Sequence, residues 1–164
     1  MKVSIGDIRL WFDVLNPGLV TDGPVMREKP LLLALHGGPG FDHTDFKGLI
    51  EPLCDFAQVV LYDHRAMGRS DDCDKSLWNL DQWAADVHAF CAALGIERPI
   101  VLGGSFGGMV AQVCAAHYPG ELAGLVLLST AARLLTERSE AALERVGGPE
   151  ARDLFHRNMV ERDT

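Results

Sequence analysis

Apolar and polar positions alternate between Val3 and Leu15. Ile8, Leu10 and Phe12 would line one face, and Arg9, Trp11 and Asp13 the other. A period of two is the pattern of a half-buried strand, and Gly6-Asp7 reads as a hairpin turn between two short strands. Residues 16–29 lose the alternation and are rich in Gly, Pro and Asp, so they read as a loop. Four short, unbroken apolar runs follow: PLLLALHG (30–37), AQVVLYD (57–63), PIVLGG (99–104) and LAGLVLL (122–128). Strands buried on both faces look like this, as in a parallel sheet covered by helices.

Helical spacing fills the gaps between these runs. The clearest case is Leu80 to Leu94, with apolar residues at 80, 83, 84, 87, 91 and 94. Asn79 can cap it, Gln82 stands at the third position of a capping box, and Gly95 ends it. Residues 105–118 read as a second helix, whose Gly and Ala content suits close packing on a sheet, and 43–54 as another. Strand and helix alternate, so the expected class is α/β, a mostly parallel sheet with right-handed crossovers. After Ala132 the pattern changes: residues 133–164 carry 13 charged residues in 32, in two helical patterns split by Gly147-Gly148-Pro149. Pro149 suits the first turn of the second, and Asp153 with Arg157 forms an i,i+4 pair. The reading is therefore two parts, 1–132 and an amphipathic helical element at 133–164.

Composition narrows the function classes. A formal charge of −8 argues against nucleic acid or an anionic membrane surface as the main partner. The N-terminus has no uninterrupted apolar stretch of the signal-peptide kind, and no run approaches the ~20 residues that span a bilayer. Cys54, Cys73, Cys91 and Cys114 are widely spaced without a CxxC pair, which disfavours zinc and suggests reduced thiols in a cytoplasmic protein. No cofactor is called for.

The chemistry concentrates at Gly103-Gly104-Ser105-Phe106-Gly107, a G-x-S-x-G match with a strand before it and a helix after it. A serine on such a turn projects its Oγ above the sheet. Its neighbours must be small to avoid the adjacent backbone, and the helix start offers free N–H groups to a developing oxyanion. A plain Gly-rich turn, or one holding a phosphate, is the alternative; neither the G-x-G-x-x-G spacing nor a Walker lysine is present. His36-Gly37-Gly38-Pro39-Gly40 closes the first buried run, where a glycine N–H can act as a second oxyanion donor. In DHRAMGRSD (63–71), Asp63 and Arg65 can tie the loop beneath the site by charge-assisted hydrogen bonds, and Gly68 permits a tight turn.

Taken in order and spacing, HGGPG, DHRAMGRS and GGSFGG resemble the α/β-hydrolase family, and their wording is similar to its proline iminopeptidase branch, over about residues 1–132. The resemblance implies that Ser105 is the nucleophile, that the N–H groups of Phe106 and Gly38 form the oxyanion hole, and that 133–164 begin a helical cap. The branch shows Trp where Phe106 stands, and Gln and Gly where His64 and Ala66 stand. Its cap carboxylates bind a free amino terminus. Glu137, Glu140 and Glu144 lie in that region, at a spacing that suits a solvated helix face.

In this fold the acid and the base follow the serine in chain order. Leu128-Ser129-Thr130-Ala131 offers no carboxylate. Of six histidines, His36, His43 and His64 precede the serine. His88 flanks helix 80–94, His117 closes the helix that Ser105 opens, and His156 lies in the cap-like segment. Run 122–128 reads as an interior strand that would be a bare edge if it were last. The expectation is the N-terminal part of a serine hydrolase that cleaves an ester, amide or N-terminal peptide bond of a small molecule or short peptide. Its Asp and His would come from a further segment or a second chain, or the protein would work as a homo-oligomer. The alternative is an inactive fragment or a binding module that kept the turn.

Overall fold

A hairpin opens the sheet: β1 (Lys2–Ser4) pairs antiparallel with β2 (Arg9–Val14), and β2 carries its buried Leu10 and Phe12 on one face, as the alternation predicts. The structure, a computed structural model, describes residues 1–133 and 135–159. Next come β3 (Leu19–Asp22), β4 (Val25–Glu28), β5 (Leu31–Leu35), α1 (Thr44–Ile50), β6 (Gln58–Tyr62), α2 (Leu80–Leu94), β7 (Ile100–Gly104), α3 (Phe106–His117), β8 (Gly124–Leu128) and α4 (Thr136–Met159). The main sheet runs β1-β2-β6-β5-β7-β8, with β5, β6, β7 and β8 mutually parallel and β2 antiparallel to β6.

Burial on both faces explains three of the four unbroken apolar runs; the fourth, β8, lies at the sheet edge with Leu125–Leu128 exposed, contrary to the expectation of a doubly buried strand. Leu33, Leu35, Val60, Tyr62 and Val101 pack with Trp83, Val87 and Phe90 of α2 and Val110, Ala111 and Cys114 of α3. The alternate residues Leu32, Ala34, Val59, Leu61 and Leu102 pack with Phe46 and Ile50 of α1 on the opposite side. Each large side chain removed from water in this way contributes roughly 1.5–3 kcal/mol.

Helix α2 has the expected limits. Asn79 accepts the Gln82 N–H at 2.8 Å, and Gly95 closes the helix in the left-handed region. The reciprocal half of the capping box is not made, because the Gln82 side chain donates instead to Asp86 at 3.0 Å. Burial pushes the Cys91 thiol up to about 12 and the Cys114 thiol up to about 11, so both behave as hydrophobes.

One segment departs from the sequence reading. Residues 19–28 form a two-stranded antiparallel hairpin, β3 with β4, and not a loop. Gly23-Pro24 makes its turn between the paired Asp22 and Val25, with Gly23 at φ 60°. Its residues bury no face; Leu19, Val25 and Met26 are 50%, 59% and 55% exposed, so no period could betray it.

The chain divides into two compact units, Met1–Ala131 and Ala132–Thr164. In the second, helix α4 is interrupted at Gly148 (φ 75°), and Pro149 starts its second segment. Asp153 pairs with Arg152 at 2.8 Å and not with Arg157, and Arg152 also reaches Glu144. Among the described residues, no helix is long and apolar enough to cross a membrane.

Candidate active site

The parallel strands put the loops after β5, β6, β7 and β8 along one edge of the sheet, the usual place for a site in an open α/β fold. Ser105 stands where β7 becomes α3, with φ 48° and ψ −115°, a conformation that costs an L-residue on the order of 1–3 kcal/mol. The fold holds it there. The Ser105 N–H donates to the Leu128 carbonyl at 2.9 Å, and the Ser105 carbonyl accepts from Gly108 N–H at 3.0 Å and from the Thr130 hydroxyl at 2.7 Å. Ser105 is exposed, so its side chain leaves the crowded turn toward solvent.

Close approach explains the flanking glycines. A Cβ on Gly103 would lie 2.5 Å from the Gly107 carbonyl oxygen, and one on Gly107 would collide with the carbonyls of Leu35 and His36. The elbow is thereby pressed against the end of β5, where the second glycine motif begins. A Cβ on Gly37 would lie 3.6 Å from the Ser105 Cβ, and the next residue, Gly38, adopts φ 140°, which an L side chain resists. Pro39 and Gly40 continue the loop into solvent. The N–H groups of Phe106 and Gly107 head α3, where helix geometry supplies no acceptor. Phe106 itself is buried between the rings of His64 and Trp83, at 5.4 and 4.9 Å.

Beneath this edge, Asp63 and Arg65 tie the loops through separate partners. Asp63 accepts from His43 N–H at 2.8 Å, His43 Nδ1 at 2.7 Å and Arg69 N–H at 2.9 Å. Arg65, only 1% exposed, grips Asp86 of α2 through two bonds at 2.8 and 2.7 Å, and reaches Asp7 of the β1–β2 turn at 2.8 Å. Hydrogen bonds to both carboxylates raise the Arg65 guanidinium further above its ordinary value. Asp42, His43 and Asp63 could bring three ligand atoms within 4.8 Å of one another. Both Asp63 oxygens are already used by internal donors, so the group reads as a loop brace and we assign it no metal.

The histidines divide cleanly. His36, His43 and His64 are buried; His88 pairs with Glu121 at 2.6 Å and stacks on Tyr118; His117 lies 3.8 Å from Asp81. Among the described residues of Met1–Ala131, no side chain hydrogen-bonds to the Ser105 hydroxyl. In the second unit Glu140 and Glu144 take His156 and Arg152 as partners. Two contributors were not anticipated from sequence: Thr130, which braces the Ser105 carbonyl, and the Leu128 carbonyl. A threonine just past a strand end carries no distinguishing signal.

The family described as alpha/beta hydrolase fold matches residues 30–157. The chain is 35% identical over 111 residues to a proline iminopeptidase of Lactiplantibacillus plantarum, covering 66% of this chain and 39% of that protein. A proline iminopeptidase structure from Mycobacterium smegmatis superposes with a TM-score of 0.78 at 28% identity, over 99% of this chain and 55% of that one. A proline iminopeptidase-related protein of Thermus thermophilus superposes at 0.76 and 26% identity, over 98% and 57%. The chain thus spans about two fifths of the L. plantarum relative's length. The likeness read from the three glycine motifs is borne out, and the chain belongs to the alpha/beta hydrolase fold family.

Proposed function

We propose that the protein is a serine hydrolase working through an acyl-enzyme, with Ser105 as nucleophile and the N–H groups of Phe106 and Gly38 as the oxyanion hole. The observation that carries this reading is the strained Ser105 backbone, pressed against Gly37 with a helix start beside it. Proline iminopeptidase-like release of an N-terminal residue is the leading reaction, after the relatives, and cleavage of a small ester or lactone is next. In the chemical step Ser105 Oγ attacks the carbonyl carbon while a histidine takes the hydroxyl proton. The oxyanion draws on the two amides, each contributing roughly 3–4 kcal/mol to transition-state binding. The histidine then protonates the departing amine or alkoxide, and water repeats the sequence on the acyl-enzyme.

The histidine and its orienting carboxylate are assigned to a segment that pairs with β8, in the same polypeptide or a second one, α4 to the start of a helical cap, and the substrate to the small molecules or short peptides of the cytoplasm. A second reading, a binding module that kept the elbow, is favoured by the absence of a base on Ser105 among the described residues of Met1–Ala131. A fluorophosphonate probe separates the two. Rapid labelling of the protein that is abolished in Ser105→Ala is the expected result. Labelling that is absent when the segment pairing with β8 is present, or that survives in Ser105→Ala, rejects the nucleophile assignment; labelling that needs that segment places the base there.

A further inference from the structure

His36 and His64 lie fully buried behind the glycine loop, and no step above uses their rings. His36 Nδ1 is 2.6 Å from the Gly37 carbonyl oxygen. A carbonyl only accepts, so Nδ1 carries the proton. His36 Nε2 receives the backbone N–H of His64 at 3.2 Å, so Nε2 holds a lone pair. Together the two bonds admit one species, the neutral imidazole protonated on Nδ1. A second proton, on Nε2, would face the His64 N–H donor to donor.

The carbonyl held by His36 belongs to the Gly37–Gly38 peptide. The cis bond of this loop is the next one, Gly38–Pro39. In a trans peptide the C=O and N–H point in opposite directions, so fixing the Gly37 oxygen fixes the aim of the Gly38 N–H. The rings continue the connection. His36 lies edge-on to His64 at 4.4 Å, and His64 edge-on to Phe106 at 5.4 Å, and Phe106 carries the other amide of the elbow. The Tyr62 hydroxyl is 3.3 Å from His64 Nδ1, and His64 Nε2 is buried without a partner among the described residues.

We propose that His36 is a positioning residue that aims the Gly38 N–H through the Gly37 carbonyl, and that a second proton on His36 Nε2 breaks its bond to the His64 N–H, making the His36–His64 pair an acid-operated catch behind the glycine loop. The catalytic meaning of the catch rests on the Ser105 reading; the catch itself does not. Burial, not the groups facing it, is the main opponent of charge on His36. For His36, burial outweighs the Gly37 carbonyl and the attraction of Asp63 and Asp42, while His43 adds repulsion, and the ring stays below the ordinary histidine range. His64, buried and beside His36, lies well below it, and the buried Tyr62 hydroxyl stays protonated.

Nitrogen-15 NMR of the chain tests this without turnover. Near neutral pH His36 should show the Nδ1–H tautomer. On acidification its titration should fall below the ordinary midpoint near 6.5, and the Gly38 amide should shift with the same midpoint while the amides of Lys2–Ser4 stay in place. An Nε2–H tautomer, a midpoint near 6.5, or a Gly38 amide that moves only when the whole sheet moves overturns the proposal. Ser105→Ala should give the same coupled titration, so failure of fluorophosphonate labelling and failure of the catch are separate results. In His36→Phe the Gly38 amide should exchange with solvent at least tenfold faster and lose its pH response; unchanged exchange counts against the catch. If that variant does not fold, the wild-type titration decides alone.

Discussion

At the scale of the residue, burying two neutral histidines carries a pH signature. The folded-state values of His36 and His64 lie below the ordinary 6.5 because burial disfavours the charged ring. Above about pH 6.5 both states of the chain hold these rings neutral, and they add no pH dependence. Below it the unfolded chain takes up protons that the folded chain refuses, so stability falls as pH falls, by up to ~1.4 kcal/mol per pH unit for each ring. The carboxylates with lowered values (Asp7, Asp42 and Asp74, with Asp71 held down to about 2 by Arg9 and Lys2) contribute stability that is lost only at lower pH, through the carboxylate range. Urea unfolding between pH 7.5 and 5 should therefore show a decline that His64→Gln makes shallower. The sequence revealed the glycines at 103 and 107 because sterics leave them no substitute. It did not reveal that His36 and His64 meet, since they stand 28 positions apart at the ends of different strands.

Elements are joined here by buried charge as well as by apolar packing. Arg65 links three pieces: the β1–β2 turn through Asp7, the loop after β6, and α2 through Asp86. Asp86 is 2% exposed, so removing the guanidinium would strand a carboxylate in the core. Asp7 is largely exposed and would lose little. Arg65→Met should destabilise by about 3–5 kcal/mol in denaturant titration, most of it the cost of the orphaned Asp86. Converting Asp86 to Asn at the same time should recover part of the loss, because the unpaired charge is gone. Elements with a buried face were legible: β5, β6, β7 and α2 fall within the apolar runs and caps read from sequence. The β3–β4 hairpin was hidden because its signal was only the Gly23-Pro24 turn, with both strands exposed.

For the whole molecule, the unusual surface is the last strand of the sheet. Among the described residues β8 pairs with β7 on one side only, and Leu125, Val126, Leu127 and Leu128 are 38%, 44%, 45% and 39% exposed. Alternate residues of a strand point to opposite faces, so similar exposure along the run means that both faces and the hydrogen-bonding edge are incompletely covered. Natural edges carry charges, prolines or bulges that discourage pairing, and Gly124–Leu128 carries none. The apolar run was legible in sequence as a strand built for an interior position; its place at the edge follows from the pairing alone. A net charge of −8 opposes association at long range, but at physiological salt that repulsion is screened beyond about 8 Å, whereas strand pairing acts at contact. The chain by itself should thus self-associate as concentration rises, and sedimentation velocity should show it. Val126→Lys should shift the distribution to monomer while leaving the far-ultraviolet circular dichroism unchanged, because a lysine at an edge deters pairing at little cost to the strand it sits in. An unmodified chain that stays monomeric at the highest attainable concentration would mean that this edge is covered by its own polypeptide in solution.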